Sequence, residues 1–262
     1  MDDTEPIGII GGSGFYSLLD DPEERLVETP WGAPSDALTV GALAGRDVVF
    51  LPRHGRGHRF APHLVPYRAN LWALRAAGVR QVLSLSAVGS LTTALPTGTL
   101  VVPDQIVDRT SGREHTFFSA ADGVGHAPFA DPYCPRGRAA ATRAGTSHDG
   151  GTLVVVNGPR FSSRAESQEF QRNGWSIIGM TGMPEASLAR ELGLCYTTLA
   201  LVTDLDAGVE AGEGVTHTEV LEAFAANLPE LRGLLVATLE ALPAEQDSCP
   251  CADRPGFPAT FA

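Results

Sequence analysis

The stretch Ile7-Gly8-Ile9-Ile10-Gly11-Gly12-Ser13-Gly14 couples an apolar, β-branched run to a glycine-rich turn. Such a run bounded by glycines predicts a buried strand whose end presents backbone N–H groups to an anion, with the Ser13 hydroxyl beside them. The same stretch also reads as a tight turn without a ligand. It is not a dinucleotide fingerprint, because the third glycine of G-x-G-x-x-G would fall on Ser17.

Similar runs recur outward along the chain at 48–51, 82–87, 100–102, 153–156, 177–180 and 194–202. Several are apolar throughout, as strands covered on both faces require. Helical stretches alternate with them. Tyr67 to Ala77 carries Leu71 and Leu74 at helical spacing, with Gly78 placed to end it. Pro184 to Leu192 opens on a proline, which suits a first helical turn. Thr216 to Leu242 carries one apolar stripe behind a Thr216/Glu219 capping box, with Pro229 as a point of kinking. This alternation predicts an α/β fold, one domain with a mixed sheet flanked by helices, over residues 1–243. The tail, 244–262, reads as extended or disordered. Residues 143–151 read as a loop.

The 262 residues carry 19 Lys and Arg against 31 Asp and Glu, a formal charge of −12. That field disfavours nucleic acid and anionic lipid as partners. The first residues lack a basic region followed by an apolar stretch, so no secretory signal is expected. No run reads as a membrane helix, and a cytoplasmic location is expected. Cys134 and Cys195 read as packed and inert. Cys249-Pro250-Cys251 is a C-x-C that leaves metal or redox use open, but no second pair completes a zinc site, so a structural or incidental role is expected.

Against this acidic background, Arg53-His54-Gly55-Arg56-Gly57-His58-Arg59 is a concentrated positive patch after a strand. A planar Arg fork beside a His suits phosphate, although a solvated basic loop is the plainer alternative. Ser84, Ser86, Gly89 and Ser90 close one strand and Gly179 to Gly182 another, where α/β proteins place ligand contacts. Thr203-Asp204-Leu205-Asp206 puts two carboxylates at i and i+2, on one side of a strand. In a semi-buried cleft they repel, so that one keeps its proton near neutrality and can donate it to a basic ring nitrogen. A solvated strand end or a divalent-metal pair are the alternatives.

Taken together, 7–14 (IGIIGGSG), 29–37 (TPWGAPSDA), 53–58 (RHGRGH), 67–74 (YRANLWAL), 108–113 (DRTSGR), 158–167 (GPRFSSRAES), 179–185 (GMTGMPE) and 203–206 (TDLD) resemble the methylthioadenosine phosphorylase branch of the trimeric purine nucleoside phosphorylases. The resemblance covers residues from about 7 to 240. It implies a homotrimer that splits a purine nucleoside with inorganic phosphate as co-substrate, using no metal and no organic cofactor. Gly12, Ser13, Arg53, His54, Ser86, Ala87 and Thr181 would hold phosphate. Phe161 would stack on the purine, with Ser162, Asp204 and Asp206 at its edge, Asp204 being the general acid. Met180 would lie against the ribose, and His126 would reach the neighbouring subunit's 5′ pocket. The acid pair favours a 6-aminopurine, S-methyl-5′-thioadenosine above all. His217 departs from the pattern, since methylthioadenosine enzymes carry an apolar residue there. A histidine opens the pocket to adenosine or a 5′-halogen, unless it faces solvent at its helix start. A hydrolytic nucleosidase and a non-catalytic nucleoside-binding protein are the competing functions.

Overall fold

Strand β1 (Ile7–Gly11) is paired in parallel with β4 (Arg46–Pro52) on one side and β5 (Gln81–Ser90) on the other. The computed structural model describes residues 5–12, 19–119, 123–145, 148–210 and 214–253. Beyond β4, β3 (Leu38–Leu43) and β2 (Asp20–Arg25) continue the sheet antiparallel to its edge. β2 is DDPEER, exposed along its whole length, and its charges and proline discourage further pairing at that edge.

β5 is the hinge of the topology. Its full length pairs in parallel with β11 (Cys195–Leu205), and its last residues also pair antiparallel with β10 (Ile177–Gly179). β9 (Thr152–Val156) and β7 (Gln105–Arg109) extend the sheet beyond β10, while β6 (Leu100–Val102) and the two-residue β8 (His148–Asp149) extend it beyond β11. Parallel and antiparallel pairs are both present among the 11 strands of the described residues, as expected for a mixed sheet. β8 corrects the expectation of a loop over 143–151.

Side chains alternate between two buried clusters, as the two-residue period of a strand demands. Ile10, Val49, Leu51, Val82 and Val202 point to the face covered by helices α1 (Tyr67–Ala76) and α4 (Gly182–Glu191). Ile7, Ile9, Val48, Phe50, Leu83 and Leu201 point to the opposite face, covered by α2 (Pro135–Arg143) and the long α6 (Leu228–Ala241). Gly78 ends α1 with φ +91, the left-handed conformation that glycine adopts without a Cβ penalty. α3 (Arg164–Arg172) starts on a Ser163/Glu166 capping box.

The stripe from Thr216 to Leu242 divides into α5 (His217–Ala226) and α6, breaking at Asn227. Pro229 sits in the first turn of α6, where its missing N–H costs nothing. The Thr216/Glu219 capping box opens α5. The tail departs from expectation over 244–253. Arg46 donates to the carbonyls of Leu239, Leu242 and Pro243, and Gln246 donates to Gly193 O (2.6 Å). A single 3-10 turn at Pro250–Ala252 buries Cys249 and Cys251. Residues 254–262 lie outside the described residues.

Candidate active site

At the end of β4 the chain leaves the sheet at Pro52, and the first residue beyond, Arg53, is buried. A buried guanidinium needs a counter-charge and acceptors for its N–H groups. Glu185 of α4 supplies the charge bidentately, accepting from Nε (2.8 Å) and Nη2 (3.0 Å). Leu85 O accepts from Nη1 (2.9 Å), and Ser84 Oγ from Nη2 (2.6 Å). Glu185 also accepts from the hydroxyls of Ser84 (2.7 Å) and Tyr196 (2.8 Å). Burial opposes its ionisation, but the Arg53 charge and these hydrogen bonds outweigh it and hold the carboxyl below the ordinary range. The pair therefore fixes the Arg53 fork rigidly against β5 while leaving it at the wall of a cavity of about 540 Å³.

His54 follows at the same wall. Its Nδ1 lies 2.8 Å from Phe60 O, which can only accept, so Nδ1 carries the proton. Burial, then the neighbouring Arg53 charge, lowers its pKa to about 4, and the ring is neutral at pH 7 with Nε2 free to accept. Its ring stacks on His58 at 4.2 Å. Arg59 also lines the cavity, whereas Arg56 turns outward to Glu24. The basic patch thus divides between cavity and solvent.

Ser86 and Ala87 form the next part of the wall, and Ala87 is the single exposed position of β5 because it faces the opening. Thr181 precedes α4 and lines the same cavity, although the first turn of that helix is broken at Met183, whose backbone is extended (φ −118, ψ 134).

Asp204 and Asp206 line the same cavity. Pairing of β11 with β5 runs in register up to Val202–Val88 and resumes at Asp204–Gly89, so Thr203 forms a bulge that re-aims the residues after it. Thr203 donates to Asp204 Oδ2 (2.9 Å). Burial raises the Asp204 pKa to about 6, with the Asp206 charge adding to the effect. Asp206 is raised too, again by burial, and its Oδ2 is buried without a hydrogen-bond partner among the described residues. Gly89 allows this arrangement, since a Cβ there would sit 2.8 Å from Asp204 Oδ1. Phe161 and Ser162 bound the cavity nearby, and Met180 follows β10 into it. A Cβ at Gly158 would overlap Met180 Sδ, so glycine makes room for that side chain. His217, first residue of α5, lines the cavity mouth with Val220 while remaining exposed.

Two groups thus share one cavity, a basic set around Arg53 and a carboxyl pair whose pKa values burial raises. The sequence profile of the phosphorylase superfamily matches residues 6–240. The chain belongs to this superfamily. It is 60% identical to a purine nucleoside phosphorylase of Streptomyces coelicolor, over 94% of this chain and 92% of that one. It is 53% identical to an S-methyl-5′-thioadenosine phosphorylase of Mycolicibacterium smegmatis, over 97% of this chain and 98% of that one. Methylthioadenosine phosphorylase from Schistosoma mansoni, solved in complex with adenine, superposes with a TM-score of 0.86 at 39% identity, covering 90% of this chain and 91% of that one.

Within this phosphorylase fold, 11 of the 14 residues singled out from the sequence line the one cavity; the exceptions are Gly12, Ser13 and His126. Gly12 follows β1 beside Arg53, whose N–H donates to Gly11 O (3.0 Å), but it is outside the lining. Ser13 lies outside the described residues. His126 is exposed and away from the cavity of its own chain. Sequence reasoning missed Glu185 and Tyr196 as supports of Arg53; the available signal was a glutamate in the first turn of a helix otherwise buried against the sheet. It also treated Cys249 and Cys251 as lacking a second pair. Cys134 and Cys195 supply that pair in space, all four sulfurs lying within 4.8 Å of one another.

Proposed function

We propose that this phosphorylase cleaves a 5′-substituted 5′-deoxyadenosine, S-methyl-5′-thioadenosine being the best fit, into adenine and the 5-substituted ribose 1-phosphate. The observation carrying this reading is the order of groups along β5. Arg53, Ser86 and Ala87 lie at one point of the strand and Asp204, against Gly89, three residues further on. At about 3.3 Å per residue the separation is about 10 Å, room for a ribose between a phosphate and a purine.

The chemistry follows from that spacing. As the glycosidic bond lengthens, positive charge develops on the sugar, and a phosphate held by Arg53, Ser86 and Thr181 stabilises it before bonding to the anomeric carbon. Neutral His54 accepts a hydrogen bond from the P–OH of the phosphate monoanion or dianion through Nε2, without taking the proton. The electron pair of the broken bond passes to the purine, whose N7 takes a proton from Asp204. Asp206 accepts from the 6-amino group, matching its unpartnered oxygen. Phe161 and Met180 supply apolar contact for the base and the ribose. Phosphate is the co-substrate, and no further cofactor enters.

A broader nucleoside preference is the second reading, favoured by His217 at the cavity mouth, where an imidazole can donate to a 5′-hydroxyl. The exposed position of His126 supports a homotrimer in which it completes the neighbouring subunit's pocket. Adenine release from S-methyl-5′-thioadenosine is expected to depend on phosphate. Equal release in phosphate-free buffer would refute phosphorolysis and establish hydrolysis.

A further inference from the structure

Four cysteines converge far from the cavity. Cys134 precedes α2, Cys195 begins β11, and Cys249 and Cys251 come from the tail. All four are buried, none is joined in a disulfide, and each sulfur lies within 4.8 Å of the other three. The sulfurs of Cys134 and Cys249 are 3.7 Å apart. With a Zn–S bond of about 2.3 Å, the sulfur–sulfur edge of a zinc tetrahedron is about 3.8 Å. We propose that Cys134, Cys195, Cys249 and Cys251 form a structural tetrathiolate site for one zinc ion.

The surroundings suit thiolates. The backbone N–H of Gly137, in the first turn of α2, donates to Cys134 Sγ (3.4 Å), so this sulfur sits at the positive end of a helix. Gln246 Nε2 donates to Cys195 Sγ (3.4 Å). Such N–H···S contacts orient metal-bound thiolates. Arg190 of α4 is buried as well, and its Nε has no hydrogen-bond partner among the described residues. All four sulfurs are thus mutually within reach of a single ion, as one metal site requires.

On binding, four thiolates coordinate Zn2+ and the thiol protons pass to solvent, giving a centre of charge −2 that Arg190 partly offsets. Zinc ties the tail to the start of β11. Nine residues separate Cys195 from Asp204 on that strand, about 30 Å at 3.3 Å each, so the metal acts on stability and not on the reaction.

The test uses the full chain, expressed with zinc and purified without a histidine tag under reducing conditions. Elemental analysis is expected to give about one zinc per chain, falling at least fivefold in Cys134→Ser and in Cys249→Ser. The thermal midpoint drops in both variants, while kcat/KM stays within about twofold because the site is remote from the cavity. Cobalt substituted into the wild-type chain gives the strong sulfur-to-cobalt charge-transfer bands of a tetrahedral thiolate site, a readout that needs no variant. Wild-type zinc below about one-fifth per chain overturns the proposal, whether the thiols titrate as free or as two disulfides. Zinc unchanged in the variants, or cobalt bands of an octahedral oxygen site, overturn it equally.

Discussion

Replacing Asp204 with Asn separates catalysis from stability, because one carboxyl is asked to serve the first at the expense of the second. Burial moves its pKa from 3.8 to about 6. That difference corresponds to about 3 kcal/mol by which the folded state disfavours the ionised form. The sign follows from proton binding. Between pH 4 and 6 the folded chain holds this proton more tightly than the unfolded chain, so stability falls as pH rises through that window and stays reduced above it. Asn does not titrate and can still accept from Thr203. Denaturant unfolding of the Asp204→Asn chain is therefore expected to give a stability close to wild type at pH 4 and about 1–3 kcal/mol higher at pH 8, the lower figures allowing for residual solvation of a partly exposed group. Over the same substitution kcat for S-methyl-5′-thioadenosine falls by about 100- to 10,000-fold, the usual worth of a general acid. The wild-type kcat/KM declines above about pH 6 as the acid ionises, and adenine release, followed by ultraviolet absorbance, loses that limb in the variant. A stability difference that does not change between pH 4 and pH 8 would show that Asp204 is not strained by burial. A kcat within threefold of wild type would show that another group protonates N7.

Two further substitutions probe the other ends of the cavity. Glu185→Ala leaves the Arg53 guanidinium buried without its counter-charge, which costs about 3–5 kcal/mol of stability in denaturant unfolding. The freed fork also turns, so the KM for phosphate rises at least tenfold while the nucleoside KM changes little; an unchanged phosphate KM would remove Arg53 from the phosphate site. His217→Val removes one imidazole from the cavity mouth and is expected to raise the preference for S-methyl-5′-thioadenosine over adenosine by about 1 kcal/mol, roughly fivefold. Competition kinetics with the two nucleosides reads this directly, and an unchanged ratio would place His217 in solvent.

Much of this fold is legible because strands and helix ends are local. Ile7 to Ile10, Leu100 to Val102 and Leu194 to Val202 announce buried strands by composition alone, and each appears within a few residues of its expected bounds. Gly78 and the Thr216/Glu219 pair mark helix ends through backbone chemistry that needs no distant partner. β2 escapes the same reading, since an exposed edge strand such as Asp20–Arg25 owes its existence to pairing with β3 and not to its own side chains. α2 and α3 escape it for a related reason: with only three and two buried residues respectively, their apolar stripes are too short to show a period.

The sequence by itself determined that a concentrated Arg-His patch and an Asp-x-Asp pair each follow a buried strand, because residue types and strand patterns are local. Tertiary structure alone decided how they are used. Glu185 lies 132 positions from Arg53, and only the packing of α4 against α1 and β11 brings their charges together. The bulge at Thr203 sets Asp204 over Gly89, and the depth to which β11 is buried sets its proton affinity. Cys134 and Cys249 stand 115 positions apart, so their meeting is a property of how the tail folds back, which no local pattern can encode.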